Sequence, residues 1–144
     1  MALPVTVILE PSPEGGFKFH YTSSDPGVVT EVDGIAHINV PHNPVVGQPQ
    51  DVSFTLESNV PNATAAFITD PVVWVDAGTQ QPTPSGMTMG SLGSTQLGIT
   101  VVNDNSGTDP IKHAFFLVVL VTGPGGMTRI FGADPILVEE PPPG

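Results

Sequence analysis

The sequence predicts an all-β protein, a single immunoglobulin-like β-sandwich of about nine to ten short antiparallel strands. Three observations predict it. Apolar residues recur with period two, and no stretch shows the 3.6-residue period of an amphipathic helix. The 17 prolines and 16 glycines fall mainly between the apolar runs, where they punctuate turns. Hydrophobic residues make up 39% of the 144, so a net charge of -11 does not signal disorder. A chain of this length buries about 68–70% of its unfolded surface, enough for one core. A barrel is the second architecture that fits, and with no Cys the Cys…Trp…Cys pattern of antibody domains is absent.

Each strand has its own signal. Residues 5–9 open the chain as a first strand, and Phe17, Phe19 and Tyr21 then alternate with Lys18, His20 and Thr22. Residues 28–32 and 35–40 flank Asp33-Gly34, a pair suited to the positive φ angles of a two-residue hairpin turn. Pairing across that turn does not put every apolar residue on one face, which leaves room for a slightly longer loop. Val52, Phe54 and Leu56 alternate with Asp51, Ser53, Thr55 and Glu57, the cleanest half-buried pattern in the chain. Further strands are expected at 65–69, 72–76, 87–92, 96–102, 112–122, 127–131 and 136–138. Residues 114–121 form an unbroken apolar run of eight, which reads as a strand shielded on both faces at the centre of a sheet. Trp74 reads as a core plug. The domain is expected to span 1–140, with 141–144 as a flexible Pro-rich tail.

Composition excludes several functions. Nucleic-acid binding needs positive charge to release counterions from phosphate, and Lys18, Lys112 and Arg129 are the whole scattered supply. An anionic membrane surface is disfavoured for the same reason, and a run of eight apolar residues falls short of the ~20 of a membrane-spanning helix. The N-terminus lacks a basic region and is interrupted by Pro4 and Thr6, so it does not read as a signal peptide. Absence of Cys removes disulfides, thiolate metal sites and Cys nucleophiles, and suits a reducing compartment. The expected location is the cytoplasm.

Four Asp-Pro pairs, at Asp25-Pro26, Asp70-Pro71, Asp109-Pro110 and Asp134-Pro135, read as turn initiators that end strand ladders. The last of them, followed by Glu140-Pro141 and two more prolines, belongs to a closing segment that, with the chain length and the Val/Thr/Pro-rich strands, resembles the small bacterial proteins of the DP-EP family. The resemblance implies a bacterial origin and an all-β fold, and it carries no catalytic or ligand residue over to this chain.

Calcium is the sharpest chemical possibility. The loop 103–109 gathers Asn103, Asp104, Asn105 and Asp109, and hard cations take six to eight oxygen ligands. Asp104, Asn105 and Asp109 are therefore the candidate metal ligands, although the loop lacks the sixth-position Gly and distal Glu of an EF-hand, and Asp and Asn are equally at home in a hairpin turn. A second oxygen cluster could draw on Asp25, Asp70 or Asp76. A histidine site would need His37 or His42 to meet His20 or His113 from separate strands, and solvated or hydrogen-bonded histidines are the plainer reading. Catalytic motifs are missing. No Gly-x-Ser-x-Gly elbow occurs, and Gly123-Pro-Gly-Gly126 lacks the Lys and helix of a phosphate loop. Met87 and Met89, with Leu92, would pack the core or form an adaptable contact surface.

These readings converge on a non-enzymatic binding or structural module that meets a protein partner or associates with itself. No cofactor is expected beyond the possible Ca2+. The alternative is a metal-binding module, calcium before transition metals, using the 103–109 loop; a hydrolase or cupin-like enzyme comes third.

Overall fold

Period-two alternation sorts the chain into two sheets. A computed structural model describes residues 2–14, 16–45, 47–75, 87–91, 93–133 and 135–143. Among them are eleven strands: β1 (Leu3–Pro11), β2 (Phe17–Thr22), β3 (Val29–Val32), β4 (Ile35–Val40), β5 (Gln50–Ser58), β6 (Thr64–Val75), β7 (Met87–Ser91), β8 (Gln96–Val101), β9 (Ile111–Thr122), β10 (Thr128–Ala133) and β11 (Ile136–Glu139). A 3-10 turn at Pro124–Gly126 joins β9 to β10. The first sheet runs β2-β1-β5-β8-β7. The second runs β10-β9-β11-β4-β3, with β6 also paired to β9. Because β6 and β10 both pair with the C-terminal half of β9, they flank it on opposite edges.

The two sheets pack as an all-β sandwich. Val5, Val7 and Leu9 of β1 and Val52, Phe54 and Leu56 of β5 face Phe115, Leu117, Val119 and Val121 of β9, all buried. Phe54 and Phe115 meet edge-to-face across the sheets with ring centroids 6.3 Å apart. Each such side chain contributes about 1.5–3 kcal/mol on leaving water, and together they hold a domain that has no disulfide. Trp74 lies half-buried against Phe115, 4.9 Å between centroids, in the plug position its sequence context predicts.

Several expectations are refined. Val32 pairs directly with Ile35, and Asp33 and Gly34 have φ of 53° and 78°, so the turn between β3 and β4 has two residues and no longer loop forms. Not every neighbour is antiparallel: β1 runs parallel to β5, and β4 parallel to β11. A parallel neighbour requires a crossover. The chain makes one by leaving the first sheet after β2, building β3 and β4 in the second, and returning as β5. The expected strands at 65–69 and 72–76 are one strand, β6, which ends at Val75; Asp76 lies outside the described residues. Asp70-Pro71 does not end its ladder. It sits in a register shift between the pairs Phe67↔Val119 and Val72↔Leu117, where β6 advances five residues and β9 two. Proline has no N–H to give the ladder, and the bulge accommodates it.

β10 and β11 follow one line along β9, Ala133 pairing with Leu117 and Ile136 with Ala114. Asp134 itself lies outside the described residues.

The largest correction concerns β9. It is central by pairing, but only one of its faces is shielded. Phe115, Leu117, Val119 and Val121 face the core, whereas Ala114 and Phe116 are exposed and Val118 and Leu120 half-buried. An unbroken apolar run marks two apolar faces, and nothing among the described residues packs over the second.

Candidate functional site

At one end of the sandwich the connection from β8 to β9 meets the ends of β4 and β11. Two buried amides hold it there. Asn103 directs its Nδ2 at the carbonyls of Val40 (3.0 Å), Pro41 (3.2 Å) and Glu140 (3.0 Å), while its Oδ1 accepts from the N–H of Asn105 (3.0 Å). Asn105 donates from Nδ2 to the carbonyls of Asp109 and Glu139, each at 2.9 Å, and its Oδ1 accepts from the N–H of Gly107 at 3.0 Å. These carbonyls lie at or just beyond the ends of β4 and β11 and just before β9, where the ladders run out; that of Val40 also accepts from the N–H of Glu140 at 3.0 Å. The short polar side chains so favoured in turns thus join three segments distant in sequence.

The candidate calcium ligands therefore occupy two environments. Asn105 is buried and engaged with backbone, whereas Asp104 and Asp109 are exposed. No group of three or more His, Asp or Glu side chains stands in metal-binding array among the described residues. Of the second oxygen cluster, Asp25 lies in the β2–β3 connection with its N–H on Ser23 Oγ (3.1 Å), Asp70 lies in the β6 bulge, and Asp76 is outside the described residues.

Behind this clamp lies a polar pair that the sequence reading did not assemble. His113 Nε2 is 2.8 Å from Glu139 Oε2, both on the inner face, with Glu139 only 3% exposed. Trp74 meets the His113 ring edge-on at 6.4 Å. Glu139 Oε1 has no hydrogen-bond partner among the described residues. The signal for this pair was present. Glu139 stands two residues past Leu137, and His113 two before Phe115, so strand alternation turns both inward.

The four histidines do not converge. His20 is exposed on β2 of the first sheet; His113 faces inward from β9; His42 lies beyond β4, half-buried. His37 points outward from β4 and is nonetheless only 7% exposed, its Nδ1 3.1 Å from the carbonyl of Ile35. It lies in a groove of about 500 Å³ on the outer face of the second sheet, whose lining includes Val138 and the prolines 141–143. Pro141 and Pro142 are half-buried there, so the Pro-rich segment expected as a tail lines this face.

Farther along the same outer face the surface is apolar. Phe116 is 40% exposed and Ile130 67%, with Leu120, the register partner of Ile130, half-buried; Met127, 63% exposed, lies in the turn between β9 and β10. Met87, one of the two methionines expected at the core or a contact surface, is buried in the core. The side chain of Met89 and all of Leu92 lie outside the described residues. No helix among the described residues is long and apolar enough to cross a membrane.

Comparison with known proteins returned no matching family model and no matching curated protein.

Proposed function

We propose that this chain is a non-enzymatic binding or structural module of the cytoplasm that meets a protein partner, or a second copy of itself, through the apolar outer face of its second sheet. The supporting observation is the exposed apolar pair of Phe116 on β9 and Ile130 on β10, which strand register turns to that face. Contiguous exposed apolar surface on a soluble domain marks a contact site.

Charge adds to this reading. Strand register turns residues 114, 116, 118, 120 and 122 of β9 and 128 and 130 of β10 outward, and none is Asp or Glu in a chain that has 14. A molecule with net charge -11 repels its own copies, so an uncharged strip is where two copies approach at least electrostatic cost. The resemblance to the DP-EP family belongs to the same proposal.

The test joins sedimentation velocity over a wide concentration range with a pull-down on immobilised protein. Wild type is expected to self-associate or to retain a discrete partner. The double variant Phe116→Asp, Ile130→Asp is expected to lose that complex with its thermal midpoint nearly unchanged. A monomer at every concentration, together with identical capture by both proteins, would rule the reading out.

A further inference from the structure

The groove around His37 lies on the β3–β4–β11 half of the outer face, and its polar groups are fixed before any ligand arrives. A backbone carbonyl only accepts, so His37 Nδ1 carries the hydrogen that meets Ile35, and in the neutral ring Nε2 keeps its lone pair for the groove. Asn39 Nδ2 donates to Gly27 O at 2.9 Å and to Thr30 Oγ1 at 3.1 Å. That orientation leaves Asn39 Oδ1 as an acceptor, while the Thr30 hydroxyl, already accepting from Asn39, keeps its hydrogen to give. Two acceptors and one donor are thereby set on neighbouring strands about 4.8 Å apart.

Lys112 and Glu140 also line the groove. Lys112 pairs across strands with Val138, and Glu140 follows Val138 by two residues, so the opposite charges are diagonal neighbours. They offset each other, and the field of a chain of net charge -11 disfavours an anion. Both still hydrogen-bond hydroxyl groups. Val138 on the floor and the prolines 141–143 along the groove present C–H surface.

We propose that this groove binds a neutral, hydroxyl-rich ring, the chemical class of a monosaccharide or cyclic polyol. Such a ligand offers O–H groups to His37 and Asn39, accepts from Thr30 and Lys112, and lays its C–H face against valine and proline. Aromatic platforms, scarce in this sequence, are then not required. The volume falls within the range of small-molecule sites, about 300–1,000 Å³. This site stands apart from the partner strip on β9 and β10, and neither proposal depends on the other.

The experiment is a titration of 15N-labelled protein with D-glucose, D-galactose, N-acetyl-D-glucosamine and myo-inositol, each to tens of millimolar, following the imidazole nitrogens. At least one probe is expected to shift His37 Nε2 saturably while His20 on the other sheet stays still. Asn39→Ala is expected to weaken that probe about three- to tenfold, the loss of one hydrogen bond. Thr30→Val reads the same network if Asn39→Ala does not fold. D-glucuronate is expected to bind less tightly than D-glucose. Absence of saturation with all four probes, equal drift at His20 and His37, unchanged affinity in the folded variants, or a preference for glucuronate would each overturn the proposal.

Discussion

Phe115 and Phe116 are adjacent on β9 and chemically identical, yet one is 1% exposed and the other 40%. The first meets Phe54 from the opposite sheet; the second faces outward, where no third layer lies among the described residues. Hydrophobicity decides that a strand wants both faces covered. Layer architecture decides which face this chain covers by itself. The inner face of β9 therefore carries stability, and the outer face is the one proposed above for contact.

That contrast can be broken at several positions, taken here from the largest expected effect. Phe115→Ala should lower unfolding free energy in urea by about 3–5 kcal/mol, through lost burial and the cavity left between the sheets. Next is His113→Ala, which leaves the Glu139 carboxylate on the inner face without its partner and should cost about 3 kcal/mol. A His113→Leu, Glu139→Leu double variant should recover most of that loss in the same assay. If the double variant proved less stable than the single, the inner face would depend on its polar pair and not on apolar packing.

Asn105→Ala should cost about 1–3 kcal/mol by leaving the Asp109 and Glu139 carbonyls without their donor. Its exposed neighbours provide the control: Asp104→Ala should stay within about 0.5 kcal/mol. In the β3–β4 turn, Gly34→Ala places a Cβ on a residue with φ of +78° and should cost about 1–2 kcal/mol. Smallest is Phe116→Ala, expected within about 0.5 kcal/mol of wild type by thermal denaturation. A loss at Phe116 comparable to that at Phe115 would mean that the outer face is a second core, and the contrast would fail.

Local patterns were the legible part of this fold. Alternation at Val52, Phe54 and Leu56 located β5, and Asp33-Gly34 marked the β3–β4 turn, because both depend on neighbouring residues only. Coverage of β9 was not legible, since whether Phe116 is covered depends on where other strands end up. Asp70-Pro71 misled for a related reason. The pair disrupts pairing locally, but strand pairing with β9 on either side carries β6 through it. The parallel neighbours of β1 and β4 were also out of reach, because they are set by the order in which the chain visits two sheets.

The site shows the same division. Asp104, Asn105 and Asp109 stood out for their chemistry, yet the geometry turns Asn105 and Asn103 toward carbonyls dozens of residues away. His113 and Glu139 drew no notice as a pair, although alternation alone turns each toward the core. Their meeting requires the β9–β11 register, in which Leu137 stands opposite His113.

The position of β11 also bears on how the molecule is made. β11 comes after every other strand of its sheet in the sequence, yet it lies between β9 and β4. During synthesis the β3–β4 hairpin therefore emerges about a hundred residues before the strand that ties it to β9. Until then the second sheet exists as two separate pieces, and the carbonyls that Asn103 and Asn105 will bind are not yet together. Long-range pairing of this kind slows folding. A ribosome-bound chain halted before residue 136 should accordingly lack protection from hydrogen exchange in β4, and gain it only when the last strand slots in.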